Sequence, residues 1–456
     1  MRRNPLAVRT SVCSSGLRDV RPLALEGSVA GVSGLLVHVD GLAGLISVGD
    51  RLDLLARDGR VVEAEVVGFH GGLAQTMPFG VLDSLGPGDR ARLAGNRRGL
   101  IAISDAWIGR VIDPLGRPMD RAGQLPNGTV ARAVRTGPPE ATDRARLGPR
   151  LNLGVRALDC FVTCREGQRI GLFSGSGVGK STLLAMLAQD AACDVVVVAL
   201  VGERGREVRE FLEDDLGADG RARAVVVVAT SDAPPLLRRQ AGYTAMAVAE
   251  HFRDQGKSVL LLMDSVTRFC LASREIGLSA GEPPATRGYP PSVFAELPRL
   301  LERAGPGPET TSGPAGQITA LFTVLVEGDD HNEPVADSVR GILDGHVILD
   351  RRVAEGGRYP AVDVLRSLSR SAASCLTPDE ISLVRRARSI LALHGDMSDL
   401  VRLGAYHPGA DPAVDEAVRL APRIESMLRQ DREERTTSSD SFAILRAALN
   451  DCTDGT

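Results

Sequence analysis

The rhythm of apolar positions divides the chain into three stretches. From about residue 22 to 95, apolar and polar residues alternate over short runs, most clearly in Val62-Glu63-Ala64-Glu65-Val66. A period of two puts neighbouring side chains on opposite faces, which is the mark of a half-buried strand. Asp58-Gly59, between Leu52–Ala56 and Arg60–Val67, signals a hairpin because glycine accepts the positive φ of a tight turn. Closely spaced glycines and no long helical pattern predict a small β-barrel over 22–95, preceded by a tail at 1–21.

From about 150 to 350 the alternation gives way to continuous apolar runs: Val195–Val201, Val225–Thr230, Val259–Met263 and Ile318–Val326. Short, β-branched and unbroken, such runs fit strands buried on both faces of a parallel sheet. Helices are predicted among them at Arg206–Leu216, Pro235–Asp254 and Ser292–Ala304. An α/β core is therefore predicted over 151–370, and the glycine-rich run GSGVGKST at Gly175–Thr182 inside it makes the P-loop (RecA-like) kind the expectation. A connector at 96–150 leads into it, and its Leu125–Pro149 stretch is rich in Pro, Gly and Arg. Beyond 371 the spacing turns helical. Thr377-Pro378-Asp379-Glu380 is a capping box with proline at the first helical position, followed by apolar residues at 381, 384, 387, 390 and 391. Asp431–Asp440 reads as a flexible join before a last short helix, Phe442–Leu449, completing a helical domain over 371–456.

Within the core, Gly171–Thr182 reads GLFSGSGVGKST, with the apolar run Arg169–Phe173 before it and helix-prone Leu183–Leu187 after it. Small residues between a strand and a helix let successive N–H groups converge on phosphate oxygens, and the helix adds its positive dipole end. Gly175, Ser176, Gly177, Val178, Gly179, Lys180, Ser181 and Thr182 form the expected cradle of a nucleoside triphosphate. Lys180 is expected on the β/γ-phosphates and the Ser181 hydroxyl on Mg²⁺. Ser174 stands where the strict pattern has glycine, a departure its short side chain should tolerate. Asp264 closes the Val259–Met263 run at a strand's C-terminal end, the place for a carboxylate serving Mg²⁺. Glu203 follows Val195–Val201 at the same edge. Its position admits two readings, a carboxylate that polarises water or one that offsets a helix dipole. Arg204 is equally open between phosphate ligand and salt-bridge partner.

Composition narrows the class. The 456 residues are 43% hydrophobic and 25% charged with net charge −4, so no global field draws nucleic acid or anionic lipid. Seven scattered cysteines suit reduced thiols, and the Cys160/Cys164 spacing lacks a second pair for a metal. The longest apolar run is about seven residues against the roughly 18 of a membrane span. No secretory signal is visible, and a cytosolic protein is expected.

Longer runs carry a resemblance. GSGVGKSTLL, VGERGREVREF, MDSVTRF, RGYPPSVFAELPRLLERAG, EGDDHNEPVADSVRGILDGHVILDRR and RYPAVDV together resemble the flagellar and type III secretion export ATPases, relatives of the rotary ATP synthase catalytic subunits. The resemblance runs from about Ala24 to Gln430, and RGYPPSVFAELPRL favours export ATPases over synthase subunits. It implies an ATP-hydrolysing, Mg²⁺-dependent homo-hexamer that energises flagellar protein export, with virulence export as the alternative. An ATP synthase subunit and an RNA translocase are more distant readings. Glu203 then matches the water-activating glutamate, and Arg204 and Arg268 match arginines near the γ-phosphate. Tyr359 matches the aromatic that stacks on adenine, and Arg370 the finger offered to a neighbouring subunit. The implied partners are the export apparatus, a stator-like regulator and cargo–chaperone complexes, with no nucleic acid. The implied location is cytoplasmic, at the inner face of the membrane. Export ATPases often begin with an amphipathic helix for the regulator, but Met1–Val20 has no such face. Regulator docking through other residues, or a displaced start, is expected instead. Five arginines among the first 21 residues leave room for peripheral membrane contact, although a disordered tail suits them better.

Overall fold

The computed structural model describes residues 25–309, 315–326 and 333–450. The expectations for the tail at 1–21, and Cys13 and Cys452, lie outside them. The chain forms two compact units that divide between Leu100 and Ile101.

The first unit is a closed barrel of β1 (Glu26–Ser33), β2 (Leu36–Asp40), β3 (Arg51–Leu55), β4 (Val61–His70), β5 (Leu73–Pro78) and β6 (Arg90–Leu93) in the order β1-β2-β5-β4-β3-β6. Alternation decides which side chains point inward. Leu52 and Leu54 of β3 face Ala64 and Val62 of β4, and Leu52, Leu54, Ala64 and Val66 are fully buried. The Asp58-Gly59 hairpin forms, with Gly59 at φ +84°.

The second unit is built on a sheet of nine strands among the described residues. Eight of them are β7 (Val111–Ile112), β8 (Arg169–Ser174), β9 (Val195–Glu203), β10 (Ala224–Thr230), β11 (Ser258–Asp264), β12 (Gln317–Leu325), β13 (Gly345–Leu349) and β14 (Leu368–Ser369). They lie in the order β14-β13-β8-β12-β11-β9-β10-β7, parallel except at β14. Each apolar run expected from the sequence is one of these strands, and alternate residues feed two cores. Val196, Val198 and Leu200 join Leu183, Leu184 and Leu187 of helix α1 (Lys180–Asp190) on one face. Val195, Val197 and Ala199 join helices α2 (Pro235–Arg253), α3 (Val266–Ser279) and α4 (Pro291–Leu301) on the other. Burying each such Val or Leu contributes about 1.5–3 kcal/mol, and burial on both faces is why the runs are unbroken.

Two local readings change. The continuous helix expected at Arg206–Leu216 is instead an α-helix, Gly205–Glu210, a π-helical turn, Phe211–Asp215, and a further α-helix, Gly217–Ala222. The Leu216 N–H donates to Phe211 O at 2.7 Å, and the wider turn brings both side chains into the core. The last helix starts earlier than expected, at Ser438, because Thr437 and Asp440 form a capping box inside the stretch read as a join.

The capping box at Thr377 and Glu380 opens α5 (Pro378–Arg402), which packs with α6 (Pro412–Leu428) and α7 (Ser438–Leu449). Ala417, Leu420, Ile424 and Leu445 bury against the face of the sheet that carries α1. Cys160, Cys164 and Cys270 are buried free thiols, and Cys193 and Cys375 are half-buried free thiols. No helix among the described residues is long and apolar enough to cross a membrane.

Candidate active site

Parallel strands deliver their C-terminal ends to one edge of the sheet, and here that edge holds Ser174, Glu203 and Asp264. The loop from Gly175 leaves β8 and enters α1 at Gly179. Gly177 (φ +76°) and Gly179 (φ +85°) both adopt the left-handed conformation, which costs other residues about 1–2 kcal/mol. Val178 is buried in the core and anchors the loop, while Ser176 and Gly177 face solvent. Gly179 serves as the N-cap of α1 without a side-chain cap, so Lys180, Ser181 and Thr182 begin the helix with its N–H groups uncapped by any side chain.

Lys180 is the hub. Its Nζ donates to Asp264 Oδ1 at 2.5 Å and lies 3.6 Å from Glu203 Oε1. Thr323 Oγ1 donates to the same Asp264 oxygen at 2.7 Å. Arg268 sits 3.7 Å from Glu203 Oε2 and donates to Gly202 O at 2.5 Å. It is carried by α3, whose N-cap Ser265 accepts from the Arg268 N–H. Burial, and then the charge of Asp264, push the Glu203 carboxyl above its ordinary pKa, against the pull of Lys180 and Arg268.

Tyr359 stands beside the loop. A Cβ on Gly179 would meet its ring at 3.2 Å, yet Tyr359 stays 46% exposed, leaving an aromatic surface open to a planar ligand. Its carbonyl accepts from the Gln430 N–H at 2.9 Å. Arg351 donates to Ser176 O at 3.2 Å.

The fold thus brings Lys180, Ser181, Glu203, Asp264, Arg268 and Tyr359 together around the glycine loop. It does not bring Arg204 or Arg370 there. Arg204 points to solvent and pairs with Glu207 at 2.8 Å. Arg370 is exposed, and its N–H donates to Asp344 O, beside the opposite end of β8. Sequence reasoning passed over Thr323, Arg351 and Gln430. Only Thr323 left a trace, as a polar residue inside an apolar strand.

The donor set suits a magnesium nucleotide. Glu203 Oε1 and Ser174 Oγ are buried without hydrogen-bond partners, and Lys180 is spent on carboxylates. Among the described residues no three His, Cys, Asp or Glu side chains could hold a metal by themselves. One carboxylate and one hydroxyl, completed by substrate phosphates, is what Mg²⁺ takes.

Residues 154–369 match the model of the ATP synthase alpha/beta family, nucleotide-binding domain, and residues 376–447 match that of the T3SS EscN ATPase C-terminal domain. The flagellum-specific ATP synthase of Caulobacter vibrioides is 54% identical, over 95% of this chain and 98% of its own. The type 3 secretion system ATPase of Xanthomonas euvesicatoria is 45% identical over 95% and 97%. The assembled ATPase EscN of enteropathogenic E. coli, solved with its central stalk EscO, superposes with a TM-score of 0.83 at 38% identity, covering 93% of this chain and 100% of that one. With a glycine loop, a lysine and two edge carboxylates in one cluster, and with relatives of this identity along nearly its whole length, the chain belongs to the ATP synthase alpha/beta family, in the branch of flagellum-specific and type III secretion ATPases.

Proposed function

We propose that this ATPase hydrolyses Mg-ATP to energise protein export through the flagellar type III secretion apparatus. The observation that carries the chemistry is the convergence of Lys180, Glu203, Asp264 and Arg268 on one edge, beneath a loop of left-handed glycines. The higher identity to the flagellar relative, 54% against 45%, favours flagellar over virulence export. The match at residues 376–447 favours an export ATPase over a synthase subunit.

The cradle formed by Gly175–Thr182 binds the phosphates, and Tyr359 stacks on the adenine. Ser181, with Asp264 nearby, would hold Mg²⁺, which would supply positive charge against the charge developing on the phosphates. Thr323 fixes the Asp264 carboxylate. Once phosphates arrive, Lys180 turns from the carboxylates to their oxygens, and Glu203 Oε1, which has no hydrogen-bond partner, orients the water. Water attacks the γ-phosphorus, the bond to the bridging oxygen breaks, and Glu203 receives the water's proton. ADP and phosphate are the products. Arg268 lies close enough to Glu203 to steady its charge and to approach the γ-phosphate. Arg204, on the surface beside the site, acts there only if its bond to Glu207 opens.

Arg370 completes a neighbour's site, so the working form is a ring of identical subunits, a hexamer, in the cytoplasm at the inner face of the membrane. A stalk or stator-like regulator and cargo–chaperone complexes are its partners. Lys180→Ala tests the chemistry: hydrolysis should fall to background while circular dichroism stays that of the wild type, with a lowered Tm because Asp264 and Glu203 lose their buried cation. Substantial turnover in that variant would refute the reading.

A further inference from the structure

Resting on the nucleotide reading above, we propose that Ser174 is an additional polar contact to the phosphate–magnesium group, at the strand-end position where the strict motif has glycine. Three observations converge on its hydroxyl. The side chain is 1% exposed and its Oγ has no hydrogen-bond partner. Its backbone carbonyl already accepts from the Val326 N–H at 3.0 Å, so the hydroxyl alone is spare. Its direction follows from the pleat. Ser174 lies on the same face of β8 as Ile170 and Leu172, whose side chains pack with Val178 of the loop and with Leu183 and Leu187 of α1.

Register then fixes its height. Leu172 pairs with Thr323, and Ser174 pairs with Leu325. Ser174 is therefore one same-face step, about 7 Å, beyond the Thr323–Asp264–Lys180 chain and nearer the loop. A buried hydroxyl without a partner is destabilising, and an alanine of nearly the same volume would remove that cost. The hydroxyl becomes favourable when a ligand supplies the partner. Two groups arrive with a magnesium nucleotide at this end of the strand, an anionic phosphate oxygen and a metal-bound water. Serine donates to the first and accepts from the second, and alanine does neither.

Ser174→Ala in the full chain tests this with two readouts, melting without nucleotide and calorimetric titration with Mg-ADP and Mg-ATPγS. The expected result is a nucleotide-free Tm raised by about 2 °C together with a Kd raised about tenfold, equivalent to about 1.4 kcal/mol. A variant that binds as tightly as the wild type overturns the inference, whatever its Tm. A lowered or unchanged nucleotide-free Tm also overturns it, because the hydroxyl was then already satisfied. If the wild type itself gives no saturable heat, the nucleotide reading falls and takes this inference with it.

Discussion

Arg370 cannot serve the glycine loop of its own chain. Its N–H donates to Asp344 O at 2.9 Å, and the Asp344 N–H donates to Arg169 O at 2.9 Å. Arg169 is the first residue of β8, and the loop leaves that strand five steps later, after Ser174. At about 3.3 Å per residue the offset is about 16 Å, and an extended arginine side chain spans less than half of it. Arg370 therefore acts across an interface or not at all. Two variants separate these cases. Lys180→Ala loses the loop's cation and keeps the arginine, and Arg370→Ala does the reverse. Losing charge stabilisation at the transferred phosphate costs about 3–4 kcal/mol, so each variant alone should turn over about 10²–10³-fold more slowly or worse. In rings assembled head-to-tail from an equal mixture, about one interface in four pairs an intact loop with an intact arginine. ADP release from the mixture should therefore recover to about a quarter of the wild-type rate, with co-assembly verified by sedimentation. Co-assembled mixtures no faster than the separate variants would refute the cross-subunit assignment, as would full activity in Arg370→Ala alone.

Other outcomes follow from single contacts. Asp159 accepts from the Leu153 N–H at 2.8 Å, its Oδ2 has no partner, and burial raises its pKa from 3.8 to about 7. The folded chain then holds a proton that the unfolded chain releases. Stability should fall as pH rises between those two values, by up to about 4 kcal/mol, and level off above about pH 7. Asp159→Asn should flatten that slope in melts from about pH 5 to pH 8, and a slope that persists in the variant rules the assignment out. Gly179→Ala places a side chain at φ +85° against the Tyr359 ring. It should cost about 1–2 kcal/mol in backbone strain and weaken binding of a fluorescent nucleotide. An unchanged melt would contradict the left-handed geometry. Thr323→Val keeps the side-chain shape and removes the donor to Asp264, a bond to a charged group worth about 1.5–3 kcal/mol. Lower stability and a higher magnesium requirement are expected, and wild-type values for both would show that the bond does not matter.

What the sequence made legible was what short-range physics writes locally. The glycine loop, the strand-ending Asp264 and the unbroken β-branched runs each announce themselves within a few residues, because one backbone geometry or one burial pattern produces them. The capping box at Thr377 is local in the same way. The one at Thr437 was hidden only by the charged residues around it. The edge strand Val111–Ile112 is different. It is two residues long, held by pairing with β10 and by the Val111 N–H donating to Asp120 at 2.9 Å, and no periodicity fits into so short a segment. The surroundings of Tyr359 are the clearest case. The buried Arg358 guanidinium bonds Val362 O at 3.0 Å and reaches Glu425 of α6 at 2.6 Å. The Gln430 N–H binds the Tyr359 carbonyl, and the Gln430 side chain reaches back to Gly154 O at 2.8 Å. The aromatic beside the glycine loop is therefore held from the helical region some seventy residues later, by hydrogen bonds that leave no mark on either segment alone. The resemblance at Arg358–Asp363 singles out the tyrosine, but only the folded chain reveals that its position depends on α6 and the residues that follow it.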